Sequence, residues 1–171
     1  MTGILDELIA RVRTVEAGLQ SGSLVRGVVE RHEADILDLQ REQLLQGKTS
    51  SGEDLRPYYS EDTKPGGYFR TTDSARRYAA WKQTLSYPSF SGTRNPDAPN
   101  LYINGQFHND LGVQFGPDAV SVVGETPAAQ KIIAKYGAAS FGLAPDAWST
   151  VFTERGALSE LMEQINDLIY V

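Results

Sequence analysis

Three places in this 171-residue chain carry residue types that could do chemistry. The first is Gly47-Lys48-Thr49, the end of a phosphate-loop pattern in which backbone amides and a lysine cradle phosphates. That pattern needs another glycine five residues earlier, where Glu42 stands, and it follows a strand, whereas a long helical run precedes Gly47. Gly47 therefore reads as a helix C-cap. The second is His32-Glu33, which matches the start of a zinc-binding helix, but the second ligand position is Ile36. The third is His108 with nearby Asp110, beside the acidic pairs Glu53-Asp54 and Glu61-Asp62. Acidic pairs in polar loops stay solvated, and two histidines on different elements without a shared carboxylate pattern do not make a metal site. Each histidine is expected at a surface or interface. No Gly-x-Ser-x-Gly elbow occurs. The absence of cysteine excludes disulfides, thiolate zinc, iron–sulfur clusters and cysteine nucleophiles. No catalytic residue, metal or cofactor is expected.

What remains is aromatic. Tyr58, Tyr59, Tyr68, Phe69, Tyr78, Trp81, Tyr87 and Phe90 fall close together and could stack on sugars or bases. Packing of a helix on its flanking loops, or on a second subunit, is the expected use. The net charge of −6 and pI near 4.9 argue against affinity for nucleic acid or anionic membrane, since phosphate neutralisation needs clustered Lys and Arg. Arg70, Arg76, Arg77 and Lys82 lie among Asp73 and aromatics and read as a local ion-pairing face. No window approaches ~18 consecutive apolar residues, and Met1–Gln20 carries charges throughout, unlike a signal peptide.

The elements that must position these residues follow from periodicity. Apolar residues recur at helical spacing over Ile4–Gln20. A second helix is expected from about Leu24 to Gln46, with Val25, Val28, Val29, Ile36, Leu39 and Leu44 inward. Arg31, Asp35 and Asp38 lie on its charged outer face. Lys48–Gly67 is rich in Gly, Ser, Asp and Pro, too polar for core, and a loop this long is expected to order against a partner. A third helix, capped by Asp73 or Ser74, runs to Leu85, and a second linker spans Pro88–Pro99. Asn104-Gly105 is a tight-turn signal of type I′. It joins Leu101–Ile103 to an alternating run, Phe107–Phe115, and Ala119–Val123 follows Gly116-Pro117-Asp118. Pro127–Tyr136, Ala144–Thr153 and Leu158–Tyr170 complete the chain as helices. The class is α+β: N-terminal long helices, a central antiparallel β-meander, a short helix and a C-terminal helix. One domain over residues 1–171 is expected, with extended loops at about 48–70 and 88–100.

In this order the elements resemble the virion-morphogenesis proteins of tailed bacteriophages, which complete the tail and join head to tail. Ser51–Tyr58 is similar to that family's D-G-x-x-W/L-x-P-L loop, and Leu101–Asp110 to its L-x-x-T/N-G-x-L/F-x-x-S/D turn. Val120–Gly124 matches its V-x-V-G strand end. Ile133–Gly137 and Phe141-Gly142-Leu143 are partial counterparts of Y-A-x-x-H-Q-F-G and R-x-F-L-G-L, lacking the His-Gln pair and the arginine. The resemblance implies a non-catalytic subunit, assembled in the host cytoplasm and built into the virion. It implies a self-associating ring, hexamer or dodecamer, between a portal or adaptor and a tail-tube or tail-terminator protein, with DNA passing through unbound. Ring contacts would then use Leu55, Tyr58, Tyr59, Tyr68 and Phe69, with Arg31, Asp35 and Asp38, while Asn104 and Gly105 form a structural turn. The competing classes are a small-molecule or glycan-binding enzyme using Tyr58, Tyr59, Trp81, His108 and Asp110, and a cytosolic adaptor docking through the Leu24–Gln46 helix.

Overall fold

The computed structural model describes residues 3–63, 65–90, 92–116, 119–124 and 126–170. Lys64 in the expected Lys48–Gly67 loop, and Pro117 and Asp118 in the expected turn, lie outside the described residues.

Eight helices and one two-stranded sheet make an α+β fold among these residues. Helix α1 (Ile4–Gln20) is followed by α2 (Ser23–Arg31) and α3 (Glu33–Gln46). The expected single helix over 24–46 is thus broken at His32, whose φ of −95° and ψ of 18° end one helix and start the next. No Gly or Pro marks the break. It coincides with side-chain bonds from His32 to Asp35 and, across the fold, to Glu160. Helix α3 terminates at Gly47 in the left-handed conformation, as the C-cap reading requires.

Helix α4 (Thr72–Thr84) starts one residue before the expected caps. Thr71 is the N-cap, accepting from the Ser74 amide at 3.1 Å while Ser74 Oγ accepts from the Thr71 amide at 3.2 Å. Next come α5 (Gln106–Asn109), β1 (Leu111–Phe115), β2 (Val120–Gly124), α6 (Pro127–Tyr136), α7 (Pro145–Thr153) and α8 (Ala157–Tyr170). Pro at the first turn of α6 and of α7 supplies the preset φ these starts need.

The central meander reduces to a hairpin. Strands β1 and β2 pair antiparallel from Leu111↔Gly124 to Phe115↔Val120, and the cross-strand pairs Val113–Val122 and Phe115–Val120 join the core. The segment expected as a first strand cannot extend, because Leu101 sits at φ +54° and the buried Asn100 Oδ1 accepts from the Tyr102 amide. Asn104-Gly105 is a turn of another kind. Only Gly105 has positive φ (+80°), so the type I′ geometry does not form. Gly105 caps α5, with Asn104 Oδ1 accepting from the Gln106 amide at 3.1 Å. The first third of the expected strand 107–115 is therefore helix.

The main core draws Val28, Val29, Ile36 and Leu44 from α2 and α3 against Leu55, Leu111, Val122, Leu143, Val151 and Ala157. Each large side chain fully buried this way contributes about 1.5–3 kcal/mol before entropy. A satellite cluster of Tyr59, Phe69 and Ala75 packs with Tyr78 and Ala79. Helix α8 runs antiparallel to the α1–α2 path, since Arg11 meets Ile169 while Arg31 meets Glu160. No described helix is long and apolar enough to cross a membrane.

Candidate functional site

The segments singled out by sequence converge on the C-terminal half of α3. Gln40 and Gln43, one turn apart on that helix, are both buried. Gln43 Nε2 donates to the Gly142 carbonyl at 2.9 Å and its Oε1 accepts from the Ala144 amide at 2.8 Å. Gln40 Oε1 accepts from the Gly142 amide at 2.7 Å. The Phe141-Gly142-Leu143 landing is thus an extended strap read by two side-chain amides. The loop after α3 joins the same strap, since the Ser50 amide donates to the Ala139 carbonyl at 2.8 Å. Gly124, at the end of β2, approaches it from the other side. A Cβ there would meet Ala129 Cβ at 2.5 Å and the Phe141 ring at 3.3 Å, so only glycine lets β2, α6 and the strap close together.

The loop itself is tied to its own chain. Lys48 and Asp54 form a bridge and a 2.7 Å ion pair, and the Asp54 carboxylate also accepts from Tyr58 Oη and Asn95 Nδ2, each at 2.8 Å. Lys48, then Asn95, hold the Asp54 pKa down at about 2. The Tyr59 amide donates to the Asp97 carbonyl and the Ser60 amide to Asp97 Oδ1, both at 3.0 Å. Asp62 pairs with Lys135 on α6. The polar composition that suggested ordering against a neighbour is satisfied within the chain, because its acids find Lys48, Asn95 and Lys135.

That arrangement changes the site residues. Leu55 is fully buried, and Tyr59 and Phe69 are buried in the satellite cluster, where Tyr59 stacks edge-on with Tyr78 at 5.2 Å. These three have no free area for a second subunit, because the aromatic-rich segment closes on α4. Tyr58 is half-buried under the Arg56 guanidinium, 3.7 Å from its ring. Tyr68 remains 72% exposed. Arg31 pairs with Glu160, and Asp35 with His32 and Arg155, so both serve the packing of α8 and the α7–α8 turn. Asp38 is exposed and pairs only with Arg41 among the described ion pairs.

The residues of the enzyme reading fall into separate sets. His108 is buried, not at a surface as expected. Its Nε2 lies 3.2 Å from the Asn100 carbonyl and its ring packs edge-on against Tyr102 and Phe107. Burial pushes its pKa down to about 4. Tyr58 faces Asp54, and Trp81 sits at the rim of the satellite cluster beside Tyr78. Among the described residues no group of three His, Asp or Glu side chains could hold a metal.

Lys82 is almost fully buried in α4, at the helix edge that its spacing with Ala75, Tyr78, Ala79 and Trp81 turns inward, and it takes no part in the ion-pairing face expected with Arg70, Arg76 and Arg77. Its ammonium donates to the Tyr102 carbonyl, and desolvation followed by the nearby Arg94 charge lowers its pKa to about 8. Sequence reasoning missed the buried glutamines: Gln40 and Gln43 occupy helical positions that otherwise read as outward polar residues.

No protein-family model matches the chain, and neither a curated protein nor a solved structure is significantly similar to it.

Proposed function

We propose that this chain is a structural subunit of a tailed-phage neck, a tail-completion or head-to-tail connector protein that forms a ring between portal-adaptor and tail. The observation that supports it is the role of the motif residues. Gly124 and Gly142, from two of the segments resembling that family, meet at the α3 strap, which Ser50, just before a third such segment, also joins. They act as internal fasteners, leaving helix faces and Tyr68 as the exposed features, which suits a protein that works by contact. The acidic balance suits a channel through which DNA slides without sticking. In this reading the chain has no catalytic residue, takes no cofactor and resides in the virion.

Electron microscopy of the purified protein and of the parent particle tests the reading. The expected result is a closed ring of about six or twelve copies, placed at the neck by antibody labelling. A monomer that turns over or binds a sugar or nucleotide, with no label on particles, would refute it.

A further inference from the structure

The apolar arc of α1 is wider than the fold covers. Val15 is buried, and Arg11 and Gly18 half-buried, on the side facing α8 and α2. The rest of the arc, Ile4, Leu5, Leu8, Ile9, Val12 and Leu19, is 41–90% exposed. At 3.6 residues per turn, Leu5, Leu8, Ile9 and Val12 form one exposed stripe that flanks the buried side of the helix. The open apolar area is on the order of 500 Å², the size of the largest patches that monomers carry, which are often functional.

We infer that this face is a self-association surface, packing antiparallel on the same face of a second copy of this chain. The charges on α1 choose that occupant. On its α8 side Glu7 and Arg11 already pair with each other at 2.7 Å, while Asp6 and Arg13 flank the stripe beside Ile9. Antiparallel pairing sets Asp6 of each helix against Arg13 of the other, so the surface complements itself. An anionic bilayer would need cationic flanks, and both the acidic first turn and the net charge of −6 oppose that. Pairing Asp6 with Arg13 of the second copy centres the contact between residues 9 and 10. Ile9 then lies near the two-fold axis, while the two Leu19 residues lie roughly 30 Å apart at 1.5 Å per residue. The inference stands apart from the connector reading, which concerns what the assembled protein joins.

The chain has no cysteine, so single thiols report the contact cleanly. Ile9→Cys in the full chain is expected to cross-link to a dimer on mild oxidation, and Leu19→Cys to remain uncross-linked. Sedimentation velocity should show the wild type at least dimeric. Leu8→Glu with Val12→Glu should keep the wild-type melting temperature while raising the dissociation constant by ~100-fold or more. A wild type that is monomeric at all concentrations, equal cross-linking at both thiols, or a large drop in melting for the glutamate variant would each overturn the inference. So would flotation of the monomer with phosphatidylcholine or phosphatidylglycerol vesicles. A dimer that grows no further supports the inference and counts against the ring; a larger ring carrying the same cross-link supports both.

Discussion

Gln43→Leu tests the strap directly. The wild-type side chain satisfies a backbone carbonyl at Gly142 and a backbone amide at Ala144, on either side of buried Leu143. Leucine keeps the volume and helix propensity and removes both partners. Each buried backbone group left unpaired costs about 1–3 kcal/mol, and extra apolar burial offsets part of this, so the net loss is about 3 kcal/mol. For a domain of this length that lowers the melting temperature by roughly 6–12 °C. Gln40→Leu one turn earlier is the internal control. It removes one acceptor from the Gly142 amide, but it also removes a buried Nε2 that has no hydrogen-bond partner in the chain, so its cost is below about 1 kcal/mol. Urea denaturation followed by Trp148 fluorescence and circular dichroism measures both. Hydrogen exchange at the Gly142 and Ala144 amides localises the effect. Equal losses for the two variants, or a Gln43→Leu loss under about 0.5 kcal/mol, would show that the strap is held by Leu143 packing and not by the amides.

Three other expectations follow from the same geometry. Gly124→Ala forces its new methyl onto Ala129 and should destabilise by ~2 kcal/mol or more, with Gly124→Ala/Ala129→Gly recovering part of the loss in a double-mutant melt. The folded-state pKa of His108 is near 4, below the ordinary 6.5, so the unfolded chain takes the proton more readily. Stability from this group is complete above pH ~6.5 and falls by about 3 kcal/mol as pH drops towards 4, a slope that His108→Gln should flatten in urea titrations. Asp54 is depressed to about 2, so its contribution is present above pH ~4 and is lost between there and ~2. It amounts to about 2 kcal/mol, and acid titration of Asp54→Asn should lack that step.

Legibility in the sequence tracked how locally each feature is determined. Helix α1 matches its apolar spacing residue for residue, and α6 begins at the proline that marked it. Strand β1 kept its alternating Leu111, Val113 and Phe115. The misreadings cluster where a side chain competes with the backbone ladder. Asn100 and Asn104 each bond an amide two residues on, turning a strand-like Leu-Tyr-Ile-Asn-Gly-Gln-Phe run into turn and helix. The break at His32 depends on Glu160, distant in sequence, and no local signal carries that information. Tyr59 and Phe69 went to an interface because polar flanks implied exposure; the satellite core that receives them exists only once α4 folds back onto the loop. Burial of Gln40 and Gln43 is equally non-local, since what they bind lies about a hundred residues away.

The distribution of polar groups bears on what the chain can do. An active site keeps part of each reacting side chain facing a space that substrate can enter. Here the most buried polar side chains turn toward the chain's own backbone: Gln43 and Gln40 to the strap, His108 to the Asn100 carbonyl, Lys82 to the Tyr102 carbonyl. Their lowered or satisfied states serve folding, and a lysine with a pKa near 8 aimed at a carbonyl has its proton already engaged. A groove between α3 and α7 is lined by Glu42, Lys48, Asp146, Glu154 and Arg155, charges of both signs suited to hydration. By contrast the α1 face presents leucine, isoleucine and valine to water. Side chains so placed gain free energy only when another surface covers them. Under the self-association inferred above, a second copy would supply that cover.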